Sequence, residues 1–188
     1  MTWQIIQLDA VDASPWRNGG GVTRELLAWP SGRDWIWRAS VAQVAASGPF
    51  SRFEGVQRWF AVLSGAGVRL AVGEQMHVLT CDSAPLTFDG AEQVQCQLLD
   101  GVTQDFNLMV RRDQARATLH RVSGDFSRLI DATKTVAVYA MDSGATVDID
   151  HNSLLIPARS LAWRTVSAGV TLQVSAPNAL WMEIAPCA

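Results

Sequence analysis

The sequence predicts an all-β protein, a sandwich or barrel assembled from two related halves. Short β-rich runs bounded by Gly, Pro, Asp and Ser recur about every ten residues, the rhythm of antiparallel strands. Few stretches sustain the 3.6-residue period of an amphipathic helix. A strand, glycine turn and strand at residues 59–68 (WFAVLSGAGV) are echoed at residues 137–147 (AVYAMDSGATV), and each copy is followed by a further β-rich run. Two related barrel halves account for the echo, although glycine hairpins recur in any antiparallel protein.

Taken in order, strands are expected near 3–8, 22–28 after the Gly19-Gly20-Gly21 run, and 35–44, which alternates apolar and polar residues. A hairpin follows at 58–64 and 67–72, turning on Gly65 and Gly67, with further strands at 75–80, 85–88 and 94–99 before Asp100-Gly101. Strands continue at 105–111, then in the second half at 116–122, 135–141, 145–149, 153–156, 160–164, 170–174 and 180–185. Helical turns are expected only at 9–15 and 124–132.

The chain has 188 residues, 48% of them hydrophobic, which suffices for one domain or two small ones sharing a core. A formal charge of −3 provides no bulk attraction to nucleic acid or an anionic membrane. Cys81, Cys96 and Cys187 are odd in number and lack CxxC spacing, which fits reduced thiols rather than a disulfide framework or zinc knuckle. No signal-peptide pattern and no apolar run of membrane-spanning length is visible, so a soluble cytoplasmic protein is expected.

The run Trp16-Arg17-Asn18-Gly19-Gly20-Gly21-Val22-Thr23-Arg24-Glu25 concentrates guanidinium, amide and carboxylate groups beside three glycines. Arginine's planar fork matches carboxylate or phosphate geometry, so an anion is the natural partner. The spacing matches neither a P-loop nor a dinucleotide fingerprint. Period-two alternation places Ile36, Arg38, Ser40 and Ala42 on one face of their strand, with Trp35, Trp37, Ala39 and Val41 on the other. Arg58 shares a face with Phe60 and Val62, and Asp105, Asn107, Met109 and Arg111 share another. Between them, Gly48-Pro49-Phe50-Ser51-Arg52-Phe53 supplies two aromatic walls and a hydroxyl, the composition of a small-molecule site. Trp16 and Trp59 are the tryptophans expected nearest a ligand. The competing structural reading has Arg17, Arg24, Arg38 and Arg58 simply paired with Glu25, Asp89 and Asp105.

His77, His120 and His151 are isolated in sequence, with no paired-histidine or histidine–carboxylate ligand spacing, so no metal or other cofactor is expected. No serine lies in a nucleophile elbow. A desolvated Glu25, Asp89 or Asp105 would nevertheless have a raised pKa suited to proton transfer.

Five motifs in order closely resemble the HutD/Ves family: Trp16–Gly19 continuing through Thr23-Arg24-Glu25, Trp37–Ala42, Gly48–Phe53, Arg58 before a strand ending Leu63-Ser64-Gly65-Ala66-Gly67, and Asp105–Arg112. The likeness covers roughly residues 1 to 112 and weakens beyond. It implies a bicupin, two cupin/RmlC-like β-barrels in one chain, the first spanning 1–112 and the second 113–188, with strands free to exchange in one compact unit. It also implies bacterial histidine utilisation, in which HutD-type proteins bind urocanate or formylglutamate-like intermediates and restrain pathway expression. The Ves-like branch is associated instead with stress or cold response. The metal-binding histidines and glutamate of cupin dioxygenases have no counterpart, and Gly21 reads as a small local choice that leaves the strand entry unaltered.

The resulting expectation is a metal-free binder of a small anionic metabolite. Arg38 and Arg58 receive the anion, Asn18, Thr23, Ser51 and Asn107 orient it, and Phe50, Phe53 and Trp16 shield it. Arg17, Arg24, Glu25 and Asp105 are assigned to supporting ion pairs, Arg24 with Glu25 in particular. The alternative is a metal-independent isomerase or hydrolase with Glu25 or Asp105 as proton carrier. A vestigial pocket in a protein–protein regulator is the third reading, and an exposed sheet edge would serve a homodimer.

Overall fold

The computed structural model describes residues 2–150 and 152–187. In chain order the strands are β1 (Gln4–Gln7), β2 (Ser14–Pro15), β3 (Gly21–Trp29), β4 (Trp37–Val44), β5 (Gly48–Pro49), β6 (Val56–Ser64), β7 (Val68–Val72), β8 (Gln75–Leu79), β9 (Leu86–Asp89), β10 (Val94–Leu98) and β11 (Thr103–Arg111). They continue with β12 (Ala115–Leu129), β13 (Lys134–Ala140), β14 (Ala145–Ile149), β15 (Asn152–Ile156), β16 (Ser160–Val166) and β17 (Thr171–Pro186). A single 3₁₀ turn, Leu8–Ala10, is the helical element among the described residues.

The chain divides into two units, Asp12–Gln114 and the segments on either side of it, through Val11 and from Ala115. The sequence reading put residues 1–11 in the first barrel. Instead, β1 pairs antiparallel with β16, Gln4 opposite Trp163 and Gln7 opposite Ser160, so the N-terminal strand completes the second unit. Nothing local in a four-residue strand selects its partner, which is a long-range choice.

The Asp12–Gln114 unit has a six-stranded sheet in the order β2-β3-β4-β11-β6-β9 and a four-stranded sheet in the order β5-β10-β7-β8. Its interior combines both sheets: Ala42, Val44, Phe60 and Val62 from the first meet Val68, Leu70, Val94 and Cys96 from the second. β11 is central, flanked by β4 and β6, so its inward side chains stand in rows with theirs. Met109 lies opposite both Arg38 and Arg58, Asn107 opposite Ser40 and Phe60, and Asp105 opposite Ala42 and Val62. Residues opposite one another across antiparallel strands project to the same face.

In the other unit one sheet runs β1-β16-β13-β17-β14-β15, with β12 pairing along β17. Its interior is apolar, containing Val136, Val138, Val147, Ile156, Leu172 and Trp181. Two local expectations fail here. The turn expected at 124–132 is largely strand: β12 runs on to Leu129, paired with Thr171–Ala176, after a register shift between Val122 and Gly124. Gly124 takes φ +79° at this irregularity, and the partner strand then supplies the hydrogen bonds a helix would have made internally. Likewise 170–174 and 180–185 are one continuous strand, β17.

Gly21 also departs from expectation. It opens β3, opposite Val44, where a Cβ would overlap the Gln43 carbonyl oxygen and come within 3.2 Å of the Trp16 ring. The strand entry therefore requires glycine.

Candidate functional site: a cavity with two guanidiniums

Inside the Asp12–Gln114 unit lies a cavity of about 600 Å³, within the usual range for small-molecule sites. Arg38 and Arg58 both project into it, because β4 and β6 place them on either side of Met109 in one register row. Asn18, Thr23, Phe50, Ser51, Phe53 and Asn107 also line it, together with Trp16, Arg17, Ser40 and Phe60. The two arginines, twenty positions apart in sequence, thus belong to a single wall.

Arg58 is 5% exposed, and no carboxylate pairs with it among the described residues. Its Nη2 donates to Asn107 Oδ1 at 2.9 Å and its Nη1 to the Ser51 carbonyl oxygen at 3.2 Å, while Nε is buried without a partner. The rings of Phe88, Phe50 and Phe53 surround it at 5.1, 5.4 and 5.7 Å, close enough for cation–π attraction. Burial, then the charge of Arg38, lowers its pKa to about 10, so it remains a cation at neutral pH.

Arg38 is less enclosed, its side chain 22% exposed. Nη1 stands 3.5 Å from Glu25 Oε2, and Nη2 donates to Met109 Sδ at 3.3 Å. Trp35 and Phe53 lie against the guanidinium at 5.4 and 5.5 Å. Burial lowers its pKa, and Glu25 opposes the shift. Phe53 is thus shared by both cations.

The supporting pairs differ from expectation. Glu25 reaches Arg38 on the neighbouring strand, whereas Arg24 and Glu25 are consecutive in an extended chain and project to opposite faces. Neither lines the cavity. Arg17 is exposed at the cavity wall and makes no ion pair among the described residues. Asp105 pairs with no arginine: fully buried, it accepts a hydrogen bond from Thr103 Oγ1 at 2.7 Å on Oδ2. Register puts it beside Ala42 and Val62 rather than beside a cation. Asp89 pairs with Arg112 at 2.6 Å.

Among the orienting groups, Thr23 Oγ1 accepts from Trp16 Nε1 at 2.8 Å, which holds the indole against the cavity. Asn18 Oδ1 accepts from the Gly20 amide at 3.0 Å, bracing the glycine run. Ser51 contributes its carbonyl to Arg58, whatever its hydroxyl does. Trp59 does not line the cavity.

Trp35, Phe88 and Met109 were missed as site residues. Alternation assigned Trp35 to the opposite face, but β4 begins only at Trp37, and Trp35 packs with Val56 and Met109. Phe88 had a signal, since β9 pairs it directly opposite Arg58, but a partner strand cannot be read from periodicity. Among the described residues, no group of three His, Cys, Asp or Glu side chains is placed to hold a metal ion. His151 lies outside the described residues.

A HutD family model matches residues 8–182. The chain belongs to the HutD family. A Protein Ves from Cronobacter sakazakii is 34% identical over 176 residues, covering 90% of this chain and 91% of its own. A 21.2 kDa protein of the hutC 3′ region of Pseudomonas putida is 37% identical, covering 78% and 77%, which links the HutD family to the histidine-utilisation region. The structure of HutD from Pseudomonas fluorescens SBW25, in a formate condition, superposes with a TM-score of 0.86 at 30% identity over the whole of both chains. A cupin 2 conserved barrel domain protein from Leptotrichia buccalis, 10% identical with a TM-score of 0.59 and coverage of 98% and 96%, shares the fold. This HutD chain accordingly has the cupin β-barrel fold. No helix is long and apolar enough to cross a membrane among the described residues.

Proposed function

We propose that the cavity binds a small carboxylate, of the urocanate or N-formylglutamate class, and that the protein regulates histidine utilisation by sensing it. One observation carries this reading: Arg58 is buried in an aromatic cage with no acid beside it. A lone buried guanidinium costs several kcal/mol unless an anion supplies the missing charge. Its neutral partners, Asn107 Oδ1 and Ser51 O, hold its Nη atoms without cancelling that charge. Arg38 adds a second fork, and Phe50 and Phe53 exclude water, which strengthens charge-assisted hydrogen bonds.

Binding without turnover is favoured over the enzyme alternative by the composition of the wall. The ionisable side chains lining the cavity are arginines, while Glu25 lies outside it and Asp105 behind it. Arginine stays protonated and is a poor proton carrier. The test is NMR of the purified protein with urocanate and with N-formylglutamate. Saturable broadening of one ligand with no new resonances is expected. New product resonances would establish an enzyme, and no broadening together with no rise in melting temperature would overturn carboxylate binding.

A further inference from the structure

Every buried polar residue of the Asp12–Gln114 unit stands on the inward face of the six-stranded sheet: Ser40, Arg58, Thr103, Asp105 and Asn107. Asp105 is the one acid in that group. It precedes Asn107 by two positions on the same face of β11, a separation of roughly 7 Å. Its Oδ2 accepts from Thr103, but its Oδ1, equally buried, has no hydrogen-bond partner among the described residues. Glu183, the buried acid of the other unit, is by contrast held by Arg128, Lys134 and Trp181. An ionised carboxylate at position 105 is therefore poorly solvated, whereas a protonated one is tolerated.

We propose that Asp105 is the proton site of the anion receptor: a carboxylate held at Arg38 and Arg58 enters together with one proton, which resides on the Asp105 carboxyl. The inference rests on the carboxylate-binding reading above. A bound anion in the same interior adds negative charge that disfavours ionised Asp105, so the acid takes up a proton. The other groups facing this interior do not duplicate the role by position. Glu25, on β3, is engaged with Arg38. Cys96, on β10, has its thiol pushed up to about 12 by burial and by Asp105, and is neutral. His77, on β8 opposite Leu70, and Cys81, in the turn after β8, are the remaining titratable groups on that side.

Burial pushes the Asp105 carboxyl up to about 7, against the opposing Thr103 hydrogen bond, so the coupling falls at neutral pH. By linkage, anion affinity rises as pH falls through this titration. An anion roughly 7–10 Å from Asp105, at an effective dielectric constant of about 20, changes affinity about 15- to 50-fold between the two protonation states.

The experiment is a formate titration of the full chain, followed by tryptophan fluorescence from about pH 5.5 to about pH 8.5, over which formate itself stays ionised. The dissociation constant is expected to rise about 10- to 20-fold over this pH range in the wild type. Calorimetry near pH 7 in buffers of different ionisation enthalpy is expected to show proton uptake. Asp105→Asn should bind at the tighter, low-pH affinity throughout, without uptake. A wild-type affinity independent of pH overturns the proposal, as does a pH dependence that survives in Asp105→Asn. If the variant does not fold, carboxyl ¹³C NMR of the wild type decides. One aspartate must titrate near neutrality and shift upward on formate saturation, and absence of that shift overturns the proposal. Failure of formate to bind at any pH overturns the carboxylate reading as well, whereas binding with no proton linkage overturns this one alone.

Discussion

Arg58 donates from Nη2 to Asn107 Oδ1 at 2.9 Å, across adjacent strands and inside a wall of phenylalanines. The neutral amide orients the guanidinium and leaves its charge intact. An aspartate at position 107 would hold Arg58 equally well and would consume the charge that an incoming anion needs.

Replacing Arg58 separates binding from stability. Arg58→Met is expected to weaken carboxylate binding by about 100-fold, the loss of two charge-assisted hydrogen bonds. Stability in urea should stay within about 1 kcal/mol of wild type or increase, because an uncompensated buried charge is removed. Calorimetric titration and urea denaturation measure the two effects.

Arg38 contributes less, because it is partly solvated and already faces Glu25 at 3.5 Å. Arg38→Ala should reduce affinity about tenfold, and Glu25→Gln should raise it about two- to fivefold by freeing the guanidinium. Opposite signs for these two variants in the same titration are the expected result.

Asp105 sets a pH dependence of stability. Its carboxyl is raised to about 7 by burial, against about 3.9 when unfolded. The folded state therefore loses stability as pH rises from about 4 to about 7, by up to about 4 kcal/mol. Below about pH 4 both states are protonated, and well above about pH 7 both are ionised, so the difference is flat at either end. Urea midpoints of wild type and Asp105→Asn, compared at about pH 5 and about pH 8, should diverge at the higher pH, with the variant gaining relative to wild type.

Gly21→Ala tests the strand entry. Its Cβ would displace the Gln43 carbonyl and press on Trp16, whose indole is bonded to Thr23. A loss of about 1–3 kcal/mol is expected, with a shift in Trp16 emission, read by denaturation and fluorescence.

Much of the strand pattern was legible because period-two alternation is local. Arg38 with Ser40, Arg58 with Phe60, and Asp105 with Asn107 could be placed on common faces without knowledge of their partners. Partners were not legible. That β11 lies between β4 and β6, so that Arg38 and Arg58 flank Met109, is a pairing choice made across forty and more residues. The same limit hid Phe88, assigned β1 to the wrong half, and paired Arg24 with Glu25, whose side chains an extended backbone sends to opposite faces.

By itself the chain determined its all-β class, its slightly acidic charge balance and the residue types able to receive an anion, since each follows from composition or from side-chain alternation along one strand. Tertiary structure alone decided that, among the described residues, neither Arg58 nor Asp105 forms an ion pair. The reason is that desolvation and pairing depend on which strands become neighbours, and hydrogen-bonded register between distant segments is not encoded in any one of them.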